Sequence, residues 1–151
     1  MNSSIIVAII SVIGSFIVVY LSTIKEHFNK KYDVQLERLE NFYIPFYQKY
    51  CAGFLSINKL SEMNFEARGQ FLDLFTKNLH LMGAKSQSMY SNFYLAFLNM
   101  LEADDNNPEF PLEKCSQNLD DIFNNITKEI FSEYKCILKK CYLPVPSIKI
   151  Q

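Results

Sequence analysis

From Asn2 to Ile24 the chain carries no charged side chain, and its centre, "IIVAIISVIGSFIVVYL", is almost wholly apolar. At about 1.5 Å of rise per residue, some 22 helical residues cross the ~30 Å hydrocarbon core of a bilayer. A cleaved signal peptide needs a basic start, a shorter apolar core and a small-x-small cleavage site. No Lys or Arg precedes the run, and Val19-Tyr20-Leu21-Ser22 makes a poor cleavage site. The sequence therefore predicts a transmembrane anchor over 1–24 and a second domain over 25–151.

Orientation follows from basic residues flanking the span. Lys25, Lys30 and Lys31 all lie after it, at headgroup level, with Arg38 a little further on. The expected topology is single-pass in the inner (cytoplasmic) membrane, N-terminus out and C-terminus cytosolic. Each such Lys also attracts anionic headgroups by on the order of 1 kcal/mol. The lipid bilayer is thus the first expected partner.

Inside the run, small residues fall at Ser4, Ala8, Ser11, Ser15 and Ser22. Small positions at this spacing let membrane helices approach closely, so a homo-oligomer through the span is one expectation. The competing expectation is that the serines are incidental.

The remainder reads as helices. Tyr32, Leu36, Leu39, Tyr43, Phe46 and Tyr50 recur in steps of four and three and predict one long amphipathic helix to about Leu60. Pro45 lies inside it. Proline lacks an amide hydrogen and its ring crowds the carbonyl four residues earlier, here Asn41. A kink is the favoured reading, because the stripe stays in phase. A fresh helix starting at Pro45, or a moving hinge, are the others. Tyr43, Phe46, Tyr47 and Tyr50 form the aromatic face around it.

A second helix is expected from near Asn64 to Met82, with Phe65, Leu72, Phe75, Leu79 and Met82 inward and Gly83 as its stop. A third starts after Ser86 or Ser88 as cap, with Tyr90, Phe93, Phe97, Leu98 and Leu101 inward. "DDNNPEFP", from Asp104 to Pro111, is the clearest loop. A fourth covers Leu112 to Tyr142, with Cys115, Leu119, Ile122, Ile126, Ile130, Tyr134 and Ile137 inward. The fold class is all-α: a transmembrane helix followed by a cytosolic antiparallel bundle of about four helices.

Chemistry is sparse. Basic and acidic residues number 15 and 16, a balance that gives no reason to expect nucleic acid as partner. Cys51, Cys115, Cys136 and Cys141 match neither a disulfide scaffold nor a zinc site and read as buried reduced thiols. His27 reads as solvated and His80 as a satisfied structural histidine. "EADD" at 102–105 lacks calcium-loop spacing. No triad, zinc-protease motif, phosphate loop or dinucleotide fingerprint is present. No cofactor and no catalytic or metal residue is expected.

"LERLENFYIPFYQKY" and the ending "KKCYLPVP" resemble a set of small bacterial membrane proteins. Those share an N-terminal span, a Leu-Glu-x-x-Tyr-x-Pro-x-Tyr segment and a tyrosine-proline ending. The matching positions are Leu39, Glu40, Tyr43, Pro45 and Tyr47; Leu143 interrupts the ending. The resemblance implies a bacterial or phage source and a membrane location, and no activity.

The expected function is a membrane-anchored, non-enzymatic interaction protein with a protein partner still to be identified, in phage defence or exclusion. One alternative is a membrane-perturbing effector acting through assembled spans. Another is a helical domain with a ligand pocket, or an enzyme with scattered site residues.

Overall fold

The structure, a computed structural model, describes residues 3–146, with side chains at residue 13 and from residue 15 onward. Two units divide the chain, Met1–Gln35 and Leu36–Gln151.

The first unit is one helix, the greater part of α1 (Ser3–Arg38). Its described apolar side chains are exposed, Phe16 at 72%, Val18 at 64% and Tyr20 at 67%. Polar support is local: Lys30 pairs with Glu26 at 2.8 Å, and Thr23 Oγ1 donates to the Val19 carbonyl at 3.0 Å. Among the described residues, no helix is long and apolar enough to cross a membrane. The expected anchor over 1–24 falls largely on residues 1–12 and 14, whose side chains lie outside the described ones.

The second unit is a helical bundle. It contains α2 (Ile44–Ala52), α3 (Phe65–Lys77), α4 (Ala84–Asp104) and α5 (Leu112–Lys140). Single 3-10 turns, Leu60–Glu62 and Leu79–Leu81, flank α3. Neighbours run antiparallel, as their contacts show. Phe42 lies against Phe75 while Lys49 reaches Gln70. Arg68 pairs with Asp104 while Thr76 meets Tyr90. Ser86 bonds Glu133 while Ser116 reaches Met100. α2 also packs on α5, where Tyr43 bonds Glu133 and both Tyr47 and Tyr50 stand edge-on to Phe131. Each helix thus closes on the next, and α5 closes back on α2.

Pro45 leaves its mark on the turn before it. Leu39–Tyr43 is a π-helical turn, in which the Ile44 amide donates to the Leu39 carbonyl five residues earlier. Widening the turn moves the Asn41 carbonyl away from the proline ring. The backbone stays right-handed helical at Arg38, Tyr43 and Ile44. The chain therefore neither restarts at Pro45 nor keeps α spacing through it. Leu39, Phe42 and Tyr43 are all buried in this turn. Phe42, absent from the expected stripe, is 0% exposed.

The core is aromatic. Phe46 meets Phe75 at 5.7 Å and Phe131 at 5.6 Å between ring centroids, and Phe75 meets Phe93 at 5.0 Å. These are the offset and edge-on arrangements favoured by ring quadrupoles.

Several expectations are corrected. The helix expected to reach Leu60 ends at Ala52. Its closing residue in left-handed conformation is Phe54, φ 51°, rather than a glycine. The Phe54 and Leu55 amides donate to the Cys51 and Tyr50 carbonyls at 3.0 and 3.2 Å, completing a Schellman cap. A Cβ on Gly53 would stand 3.1 Å from Met63 Cε, a tight contact that the end of the methionine side chain would have to yield to. The same cap ends α4 at Asn106, φ 60°, and α5 at Tyr142, φ 57°. Gly83 starts α4 rather than ending α3. Phe65 and Leu98 lie outside, while Phe71, Ala96, Met100, Phe123 and Phe131 join the core.

Candidate functional site

Glu133 gathers the densest polar cluster in the bundle. It stands on α5 within the apolar run Ile130, Tyr134 and Ile137, so the helix aims it inward. The opening amides of α4 point at it. Gly83 N donates to Oε2 at 3.1 Å and Ser86 N to Oε1 at 3.3 Å. Ser86 Oγ donates to Oε2 at 2.7 Å, and Tyr43 Oη donates to the same oxygen at 3.0 Å. The sequence suggested Ser86 or Ser88 as the cap of α4, but the N-cap residue is Gly83 and no side chain of its own caps it. The cap comes from another helix instead, placing negative charge at the N-terminal end of the α4 dipole.

Arg38, in the last turn of α1, completes the cluster. Its Nε donates to the Leu81 carbonyl at 2.8 Å and its Nη2 to Tyr43 Oη at 3.0 Å. The guanidinium carbon lies 5.6 Å from the Tyr43 ring centroid. Burial, followed by the charge of Glu133, pushes the Tyr43 phenol well above its usual value, with Arg38 opposing. Tyr43 thus stays a neutral donor. Ser86 is 0% exposed and its hydroxyl is spent on Glu133. The cluster ties the π turn and the start of α4 to α5, and its serine has no open side for a substrate.

A second polar junction lies elsewhere in the bundle. Asp120 accepts from Ser61 N at 2.9 Å and Ser61 Oγ at 2.7 Å, holding the 3-10 turn against α5. Arg68, 5% exposed, pairs with Asp104. Among the described residues, the buried Arg68 Nε and Thr127 Oγ1 have no hydrogen-bond partner. A groove of about 640 Å³ beside this junction is lined by Glu62, Asp104, Glu113, Asp121 and Asn124 among others. Among the described residues no three His, Cys, Asp or Glu side chains are grouped to hold a metal ion.

The aromatic-face residues fall in one place. Tyr43, Phe46 and Tyr50 are buried, and Pro45 and Tyr47 are half-buried. Tyr47 stacks on Tyr134 with centroids 6.0 Å apart. Lys25, Lys30 and Lys31 are exposed on α1. Ser15 and Ser22 are exposed there too, whereas the side chains of Ser4, Ala8 and Ser11 lie outside the described residues. Two readings are corrected. His80 is exposed in the 3-10 turn instead of satisfied at an apolar edge, because α3 stops at Lys77 and the turn swings it out. Cys115 and Cys141 are buried, but Cys51 and Cys136 are exposed.

Glu133, Gly83, Ser86 and Arg38 form a cluster that the sequence did not announce. One signal was available: an acid at 133 interrupts the inward arc of α5. Comparison of the chain with protein-family models, with curated proteins and with solved structures gives no match.

Proposed function

We propose that the protein is a membrane-anchored interaction module, non-enzymatic, whose helical bundle works at the cytosolic face of a bacterial inner membrane. The observation that carries this reading is the N-terminal helix. From Ile13 to Leu21 its described apolar side chains stand exposed, and the sequence before them is equally apolar and uncharged. A helix apolar on all sides requires an apolar surrounding. The lysines at 25, 30 and 31 support a cytosolic placement for the bundle. The small-residue face from Ser4 to Ser22 suits contact between spans. The part-buried polar cluster at Glu133, whose buried serine spends its hydroxyl within it, favours a scaffold over a catalyst. Phage defence or exclusion is the role we assign to such an anchored module.

Alkaline carbonate extraction and a reporter fused at Gln151 test the proposal. The protein should stay in the membrane pellet, and a periplasm-only reporter should be silent. A soluble chain, or an active periplasmic reporter, overturns it. Membrane potential should hold steady on expression; its collapse would point to a membrane-perturbing effector.

A further inference from the structure

The two ends of the bundle differ in charge. Arg38, where the chain enters the bundle, donates to the Leu81 carbonyl, and Ser86 in the first turn of α4 bonds Glu133. The entry of the chain, the start of α4 and the last part of α5 therefore share one end. From Glu133 α5 runs seven residues further to Lys140, about 10 Å. After Glu133 the sequence holds no further acid. Lys139 and Lys140 are exposed and have no ion-pair partner among the described residues. Against Glu37 and Glu40, exposed on the entering chain, stand Arg38, Lys135, Lys139 and Lys140. The opposite end holds Glu102, Asp104, Asp105, Glu109 and Glu113, with no base between the first and the last of them.

The cap of α5 adds apolar surface beside the lysines. Tyr142 N donates to the Lys139 carbonyl at 3.2 Å and Leu143 N to the Leu138 carbonyl at 2.9 Å, which folds both residues back onto the last turn. Tyr142 is 86% exposed, Leu143 39% and Val145 38%. The core thus makes little use of the Tyr142 ring, and a glycine would suit its left-handed backbone better. A tyrosine and aliphatic side chains next to lysines suit the boundary layer of a membrane. The ring and methyl groups enter the apolar side, while the hydroxyl and the ammonium groups stay wet.

We infer that this end of the bundle, through Tyr142, Leu143, Lys139 and Lys140, rests on the anionic headgroup surface of the bilayer that holds the chain. The inference rests on the anchor reading and goes beyond it, by giving the bundle a fixed face toward the lipid. Twelve helical residues, about 18 Å, separate Ile24 from Leu36, where the bundle begins. The entry end is held within about two Debye lengths of the headgroups at physiological salt. A contact tethered in this way needs no large area, because the anchor supplies a high effective concentration. Each free lysine raises the ratio of docked to undocked ends about fivefold. The acidic end is repelled by the same surface.

The chain has no tryptophan, so one introduced indole reports alone. The full chain carrying Tyr142→Trp is reconstituted into vesicles of phosphatidylcholine and phosphatidylglycerol whose acyl chains are brominated near the headgroup. Its emission should shift to the blue and be quenched. Phe54→Trp, on the exposed ring that closes α2 at the other end, should stay unquenched. Adding Lys139→Gln and Lys140→Gln to Tyr142→Trp should lower the docked-to-undocked ratio about 30-fold. Three results would overturn the inference: no quenching of Tyr142→Trp, quenching as strong in Phe54→Trp, or quenching that both glutamines leave unchanged. Alkaline carbonate treatment of the same vesicles tells its failure from that of the anchor reading. An unquenched indole on a retained chain removes the inference alone, whereas a chain that carbonate extracts removes the anchor reading and the inference with it.

Discussion

The carboxylate of Glu133 occupies the space where a side chain on Gly83 would stand. Gly83 itself has φ −73°, a conformation any residue adopts. The glycine is thus required by its neighbour and not by its backbone. Gly83→Ala should expel the carboxylate, strip two α4 amides of their acceptor, and cost about 2–3 kcal/mol in urea unfolding of residues 25–151. Glu133→Ala should cost as much. Gly83→Ser placed on Glu133→Ala should recover about 1 kcal/mol, since a serine there can cap α4 from its own chain. Additive losses would show that Glu133 acts by something other than capping.

Tyr43 makes stability depend on alkaline pH. The folded chain holds its phenol proton above the ordinary value of 10.0, through burial first and Glu133 second. A proton bound more tightly in the folded state stabilises fully below about pH 10 and fades as pH rises through the folded value. Tyr50 and Tyr134, both through burial, and Tyr47, chiefly through its bond to Cys51, shift in the same direction. Tyr43→Phe should lose about 1–2 kcal/mol near neutral pH. Its decline between about pH 9.5 and 11 should then be shallower than that of the parent. An unchanged slope would remove Tyr43 from the account.

The Arg68–Asp104 pair is asymmetric. The Arg68 side chain is 6% exposed and that of Asp104 34%. Asp104→Ala abandons a buried cation and should cost about 3 kcal/mol or more. Arg68→Met leaves a carboxylate that water can still reach, and should cost clearly less. Equal losses by thermal unfolding would contradict the assigned burial.

Pro45→Ala gives the chain an amide able to donate within the widened turn. The bonds and burial of Leu39, Phe42 and Tyr43 hold that turn independently of the proline. Stability should therefore stay within about 1 kcal/mol, the gained bond offset by a freer unfolded chain. A loss above about 2 kcal/mol would show that the proline alone sets the register.

Tyr142 closes α5 in left-handed conformation with its ring 86% exposed. Little packing is lost by removing the ring, and glycine relieves the conformational cost. Tyr142→Gly should raise stability by about 0.5–1 kcal/mol. A loss instead would mean that the ring is engaged within the fold.

Helix content and most of α5 were legible because apolar spacing survives wherever one face meets one core. Ile126, Ile130 and Ile137 fall where the period puts them, and all three are buried. Phe123 and Phe131 were not legible, because α5 is flanked by both α2 and α4 and buries a wider arc than one stripe. The π turn was hidden for a related reason. Pro45 announces a disturbance, but whether the backbone bends, restarts or widens depends on Phe42 and Tyr43 finding a core. Of the Glu133 cluster, the sequence reading placed Tyr43 inward and Ser86 near the start of α4, but did not join either to Glu133. Its partners come from residues as distant as Tyr43, 90 positions away, and local pattern carries no record of such closure.

The borrowed cap has a consequence for synthesis. A ribosome completes α4 before it makes Glu133, which lies 50 residues beyond Gly83. Until then the first amides of α4 face only water, and before residue 123 is made Phe93 lacks the cover of Phe123 as well. The nascent chain must carry these bare rings until its last long helix emerges. A message cut before codon 133 would yield not a smaller bundle but an unlatched set of helices, the kind of product that proteases clear.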